Sequence, residues 1–203
     1  ALMFLCALFA PMLATYDFAK QDLPSMLQPP SKAHIFGTDE FGRDIYSRIV
    51  YGSRVSLEVG FLAVGISLLA GLVLGSVAGY YGRTLDSVIC ALIDIALAFP
   101  MTLLAIAIIA ILGPGLFNVC LAIALSSWGS FARIVRGQFL SLKNQEFVEA
   151  AKILGYSDVR IIFRHILPNS LAPLVVLTTL EVPKAIIVEA TLSYYCLRHF
   201  KGR

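Results

Sequence analysis

The chain has 203 residues, of which 58% are hydrophobic and 14% are charged, and its mean hydropathy is +0.81. Soluble domains carry about 25% charged residues, so this composition excludes an ordinary soluble domain. The net charge of +3 is small, and the basic residues are spread through the loops, which argues against a nucleic-acid-binding surface. We therefore predict an all-α, multi-pass transmembrane helix bundle.

The apolar run at the start of the chain predicts a partial first transmembrane helix over residues 1–15. The run begins at Ala1 without a methionine or a basic flank, so we interpret it as the remainder of a membrane span and not as a cleaved signal peptide. This first span is expected to be incomplete.

Residues 16–54 are predicted to form an external loop that contains an amphipathic segment. The segment is indicated by apolar residues at helical spacing, with Thr38 or Asp39 as its expected cap: Phe41, Ile45 and Ile49. We expect the acids Glu40 and Asp44 to lie on a solvated face and to pair with Arg43 and Arg48.

Residues 55–203 are predicted to form the main transmembrane domain, which brings the total to about five spans. Its spans are expected at 59–82, 87–112, 116–132 and 169–195. Pro100 should bend the span at 87–112, because proline cannot donate the helical hydrogen bond to the Ala96 carbonyl. The span at 59–82 contains glycines at four-residue spacing, which favour close helix packing within the chain over a subunit interface: Gly71, Gly75 and Gly79.

A charge-rich amphipathic segment near 138–168 separates the last two spans and predicts two short helices. The first helix should carry one apolar stripe, and the second another: Phe147, Ala150, Ala151 and Leu154, then Val159, Ile162, Phe163 and Ile166. Gly155 should adopt a left-handed conformation between the helices. Pro168 should end the second helix, because proline disfavours helical geometry at Leu167.

Three acids inside the spans are candidate residues of a translocation path or polar contacts of the bundle: Asp94, Glu181 and Glu189. Charges in a membrane are costly, so each is expected to face protein or water. Basic residues are more frequent in the loops on the side of the charge-rich segment, which places that segment in the cytoplasm.

Neither a phosphate-binding loop nor a nucleophile signature occurs in the sequence. We therefore predict that the chain is not an enzyme, has no catalytic residue, and binds neither a cofactor nor a metal ion of its own.

Three sequence blocks resemble the peptide/nickel branch of the type I ABC-importer permeases. The charge-rich segment resembles their EAA loop through Glu149, Ala150, Ala151, Gly155, Leu167 and Pro168. The other two blocks are His34 to Asp44, with Ser47-Arg48 and Tyr51-Gly52, and Asp94 to Pro100.

The resemblance implies a multi-pass permease subunit of the inner membrane, which transports peptides or a related solute such as nickel. It implies that the six EAA-loop residues couple the chain to ATPase subunits. The implied partners are a second permease subunit, two ATPase subunits that bind ATP and Mg²⁺, an external substrate-binding protein and the lipid bilayer, without nucleic acid.

The resemblance also implies a final helix after Ser193 that this sequence does not show, and we expect a truncated product. An ion-coupled secondary transporter is the alternative, but no internal repeat is visible to support it.

Overall fold

The computed structural model describes residues 2–113 and 115–200, with side chains for 4–113 and 115–194. The expectations on Ala1 and on the last three residues lie outside the described part. The chain divides into two compact units, the first ending at Glu58 and the second beginning at Val59.

The first unit contains short helices at its start. Helix α1 spans Leu2–Leu8 and α2 spans Ala10–Leu13, and a single 3₁₀ turn spans Leu23–Ser25. The predicted single helix is thus interrupted at Phe9. The interruption has a local cause, because Pro11 lies in the first turn of α2 and cannot donate a hydrogen bond to the preceding turn.

Helix α3 spans Ile45–Tyr81 and begins far ahead of the predicted start at residue 59. The expected amphipathic segment is therefore the first part of a long helix. Its cap is Asp44, whose Oδ2 accepts a hydrogen bond from the Ser47 amide at 2.8 Å, so the expected caps Thr38 and Asp39 were wrong.

The acids of the loop before α3 differ from the prediction as well. Asp44 is only 3% exposed and pairs with His34, where a solvated side chain was expected. Arg43 and Arg48 both pair with Asp39 and not with Glu40 or Asp44. Asp39 also accepts hydrogen bonds from the amides of Phe41 and Arg43, so it organises the tight turn between them.

The second unit contains the end of α3 and six further α-helices in the described residues. They are α4 Arg83–Ala98, α5 Met101–Leu112, α6 Leu116–Leu142, α7 Glu146–Ile153, α8 Asp158–Ile161 and α9 Leu167–Phe200. Within the described ranges, three helical segments are long and apolar enough to cross a membrane, and four if α4 and α5 count as one broken span. The prediction of an all-α membrane bundle is therefore confirmed, and the described residues supply three or four of the five predicted spans.

The predicted bend at Pro100 is a break of 93° between α4 and α5. Phe99 has φ −94° and ψ 135°, because a residue before proline is pushed into extended geometry. Pro100 is itself extended, so the chain turns sharply before α5 begins.

Helix α6 lies at the centre of the second unit and packs against α4, α5 and α9. It also approaches α3 closely at the three spaced glycines. A Cβ atom on Gly75 would lie 2.6 Å from the Ala132 carbonyl oxygen, and one on Gly71 would lie 2.4 Å from the Phe131 Cβ. The predicted packing of these glycines within the chain is confirmed.

Candidate functional site

The charge-rich segment folds as an elbow of two short helices after α6. Helix α7 ends at Ile153, Gly155 adopts φ +75°, and α8 begins at Asp158 after the cap position Ser157. The left-handed conformation predicted for Gly155 is confirmed, and an added Cβ there would meet no atom within 4 Å. Backbone geometry, not crowding, is therefore what favours glycine at this turn.

The inner side of the elbow is anchored on the membrane helices. Four buried side chains of the elbow pack with Val135 and Phe139 of α6 and with Leu174 of α9: Val148, Ala151, Ile161 and Ile166. The Tyr80 hydroxyl also donates a hydrogen bond of 2.7 Å to Asp158 Oδ1, which fixes the start of α8 to the end of α3. The elbow is thus held on three membrane helices.

Away from the membrane helices, the elbow exposes large apolar side chains of both short helices and of the turns beside them. We call this set the elbow patch: Phe147, Ile153, Leu154, Val159 and Phe163, which are between 39% and 86% exposed. The predicted stripes were wrong in detail, because Ala151 and Ile166 are buried while Phe147, Ala150, Leu154, Val159 and Phe163 are exposed. Helical spacing places apolar residues along a helix, but it does not show which of them pack against neighbouring helices.

The predicted helix end at Pro168 is wrong, because the chain remains helical from Asp158 into α9. Leu167 has φ −57° and ψ −46°, and it is preceded by a π-helical turn at Ile162–Ile166. The Leu167 amide bonds to the Ile162 carbonyl, five residues back. This wider turn lets the helix continue past a proline that has no amide hydrogen.

His165 lies within this π-helical turn, and its side chain is packed against the elbow. Its ring stacks on the Tyr156 ring at a centroid distance of 5.9 Å, and the Arg160 guanidinium lies over the Tyr156 ring at 4.2 Å. Asn169 donates a hydrogen bond to the His165 carbonyl oxygen at 2.6 Å. The contact between the His165 and Tyr156 rings ties the π-helical turn to the turn between α7 and α8.

The three candidate path acids each have a different partner. Asp94 Oδ1 accepts a hydrogen bond of 2.6 Å from Arg133 of α6, and both side chains are more than half exposed. Glu181 is 4% exposed and accepts one of 2.7 Å from Lys184. Glu189 accepts one from the Ser193 hydroxyl at 2.9 Å.

The ion pairs and hydrogen bonds that cross between helices could not be predicted from the sequence. Arg133 bonds to Asp94, and Arg136 bonds to Asp86 Oδ2 at 2.8 Å. Lys143 donates a hydrogen bond to the Gly79 carbonyl oxygen at 2.9 Å. Each pair joins residues that lie far apart in the chain, so no local spacing indicates it. Across the described residues, no three His, Cys, Asp or Glu side chains are grouped to hold a metal ion.

A comparison with protein-family models decides which family this helical unit represents. The model of the binding-protein-dependent transport system inner membrane component matches residues 71–199, more than half of the chain. The chain belongs to this family. A second model, the N-terminal transmembrane domain of oligopeptide transport permease C, matches residues 1–30. The chain is accordingly a protein of the inner membrane.

Relatives of this permease family with curated names are similar over nearly the whole chain. The dipeptide transport system permease protein DppC of Alkalihalophilus pseudofirmus is 53% identical over 94% of this chain and 62% of the relative. The oligopeptide transport system permease protein OppC of Bacillus subtilis is 44% identical over 95% of this chain and 63% of the relative. The chain therefore spans less than two thirds of the length of these proteins.

A solved structure supports the same fold. The chain is similar to the crystal structure of an amino acid ABC transporter with histidines, with a TM-score of 0.53 and 21% identity. The match covers 69% of this chain and 68% of the other. At this identity, the similarity supports the helical fold alone.

Proposed function

We propose that the chain is a permease subunit of an ATP-binding-cassette importer that carries peptides across the inner membrane. The family assignment and the names of the relatives reported above support this proposal. Those names refer to peptides, which favours a peptide over nickel as the substrate class.

The elbow patch is the observation that carries the proposal. Large apolar side chains exposed next to a loop mark an interaction surface when they project toward water. The opposite side of the elbow is already occupied by its own membrane helices, so the patch is free to receive a second protein. We assign it to an ATPase subunit, with Glu149 and Ala150 exposed beside the patch.

The remaining coupling residues have distinct tasks in this proposal. Ala151 anchors α7 on the membrane helices, and Gly155 sets the turn between α7 and α8. Leu167 and Pro168 continue the helix from the elbow into α9. A push on the elbow would therefore be transmitted along α9 without an intervening flexible loop.

The proposed assembly contains a second permease subunit, two ATPase subunits and an external substrate-binding protein. ATP and Mg²⁺ would bind to the ATPase subunits, so this chain would contribute the path and not the hydrolysis. Glu181 is buried and would be a polar contact within the bundle. Asp94 and Glu189 would face the path.

Replacement of Leu154 by aspartate tests the docking proposal. Leu154 is 70% exposed, so the change should leave the elbow folded, but it places a charge within an apolar interface. A central apolar contact contributes about 2 kcal/mol or more, which predicts a loss of about thirtyfold in ATPase affinity. Co-purification of the full-length permease with its ATPase subunits measures this loss.

Asn144→Asp is the matched control, because Asn144 is exposed ahead of α7 and lies outside the elbow patch. This variant should retain its ATPase subunits. Equal recovery of ATPase with Leu154→Asp and with Asn144→Asp would contradict the assignment of the patch.

A further inference from the structure

Two ion pairs join the same helices, α4 and α6, but they differ in exposure. Asp86 and Arg136 form two hydrogen bonds, and their side chains are 20% and 30% exposed. Asp94 and Arg133 form a single hydrogen bond, and their side chains are 70% and 56% exposed. The first pair is enclosed and suited to holding the helices together, whereas the second is open to a third charged group.

The surface of α4 around Asp94 is unlike a surface that contacts lipid. At about 100° per residue, the helix carries one exposed face that contains only small or polar residues: Arg83, Thr84, Ser87, Ala91, Asp94 and Ala98. A second exposed face is apolar: Leu85, Val88, Leu92 and Ile95. The apolar face suits the hydrocarbon of the bilayer, so the polar face requires water, a polar solute or polar groups of protein.

The adjoining surface of α6 has the same character around Arg133. The residues three positions before it and four positions after it are small and at least partly exposed: Ser130 and Gly137. An exposed ion pair thus lies between two helix faces that are not apolar. Substrate and ion pathways are one of the places where ionisable groups occur inside a membrane.

We propose that Asp94 and Arg133 bind the two charged ends of a zwitterionic peptide as it crosses the membrane. Asp94 accepts hydrogen bonds from the terminal ammonium group, and Arg133 donates hydrogen bonds to the terminal carboxylate. The pair opens to admit the peptide and closes behind it, so no charge is left without a counter-charge at either stage. This inference rests on the proposed function as a peptide permease.

The proposal predicts that each residue recognises one end of the peptide. The test uses the full-length complex in proteoliposomes and three substrates: alanyl-alanine, its N-acetyl form and its C-terminal amide. Arg133→Gln should slow uptake of alanyl-alanine about tenfold. It should leave uptake of the amide unchanged, because the amide lacks the carboxylate that Arg133 would bind. Asp94→Asn should slow alanyl-alanine to a similar degree and leave the N-acetyl form unchanged.

The controls separate recognition from folding and from the proposed function. Asp94→Glu and Arg133→Lys keep each charge and should restore most of the uptake. Arg54→Gln with Glu58→Gln removes another exposed ion pair and should behave as the wild type. Equal slowing of all three peptides, or of none, would overturn the proposal. If the wild-type complex imports no peptide at all, the proposed function itself fails.

A second readout does not depend on the transport of capped peptides. Ala91 lies beside Asp94 on the polar face, and it can be replaced by cysteine in a variant without native cysteines. Alanyl-alanine should slow labelling of this introduced cysteine by a small aqueous thiol reagent, and Asp94→Asn with Arg133→Gln should abolish that protection. If the complex imports peptide while the introduced cysteine stays unreactive, the face is covered by protein or lipid and the proposal is wrong.

Discussion

Asp44 is the residue that organises the loop ahead of α3. Its Oδ2 accepts hydrogen bonds from the amide and the hydroxyl of Ser47, and its Oδ1 pairs with His34 Nδ1 at 3.0 Å. Burial raises the pKa of this carboxyl, but the hydrogen bonds from Ser47 and His34 outweigh burial and lower the pKa below 3.8. The Ser47 hydroxyl in turn accepts a hydrogen bond of 3.1 Å from the Tyr16 amide.

We expect Asp44→Ala to destabilise this loop. The change removes the cap of α3 and leaves the Ser47 groups and His34 without their acceptor, which costs about 1–3 kcal/mol. Because the folded-state pKa of Asp44 is below its unfolded value, its contribution is present above about pH 4 and is lost as the pH falls through the folded-state pKa. Hydrogen exchange at the Ser47 amide of the full-length protein should report both effects.

Glu40→Gln is the control for this prediction, because Glu40 is exposed. It should leave the exchange of the Ser47 amide unchanged. Protection of that amide in Asp44→Ala equal to the wild type would contradict the role assigned to Asp44. Asp39, Glu40 and Asp44 lie within six consecutive positions, so the sequence could not indicate which of them is buried. Contact with His34, ten residues from Asp44, decides it.

The prolines show how well a local sequence rule predicts where a helix bends or ends. Pro100 produced the predicted change of direction, whereas Pro168 is accommodated by a π-helical turn and Pro173 lies inside α9. The rule that proline lacks a donor holds at each site. What differs is the response of the surrounding helix. Ile161, just before the π-helical turn, and Ile166, its last residue, are buried, and their packing holds the chain in a helix past Pro168. That packing cannot be read from the sequence.

The glycines of α3 provide a direct test of helix packing. A Cβ on Gly75 would lie 2.6 Å from the Ala132 carbonyl oxygen and 2.7 Å from the Val135 Cβ, so Gly75→Ala should force α3 and α6 apart. We expect a loss of about 1–3 kcal/mol in stability, because the atoms in conflict belong to backbone and Cβ and cannot rotate away. Thermal unfolding of the protein in detergent measures the change.

Gly65→Ala is the matched control in the same helix, because a Cβ there meets no atom within 4 Å. Alanine has a higher helix propensity than glycine, so this variant should unfold at the same or a higher temperature. If Gly75→Ala is as stable as Gly65→Ala, the close approach of α3 to α6 is not the native packing.

For the whole chain, composition and long apolar runs were sufficient to predict a helical membrane protein, and three sequence blocks were sufficient to predict its family. The ends of the helices were predicted less well. Helix α3 begins at Ile45 and α6 continues to Leu142, past polar residues that the hydropathy pattern assigns to loops. Arg133 and Arg136 lie within α6 and pair with acids of α4, and such pairing depends on the tertiary structure.

The direction in which the second unit crosses the membrane is predicted by the charges at the ends of α6. The helix has 27 residues, or about 40 Å at 1.5 Å per residue, which exceeds a hydrocarbon core of about 30 Å. Basic residues lie only toward its end at Leu142, so this end should face the cytoplasm.

Labelling of single cysteines with an impermeant reagent tests this orientation in a full-length version without native cysteines. Phe117→Cys should react with reagent added outside, and Asn144→Cys only after permeabilisation, because the two positions lie near opposite ends of α6. Val148→Cys should react in neither case, because Val148 is buried. Labelling of Asn144→Cys from outside would show that the orientation is the opposite one. The elbow patch would then lie outside the cell, where no ATPase subunit could reach it.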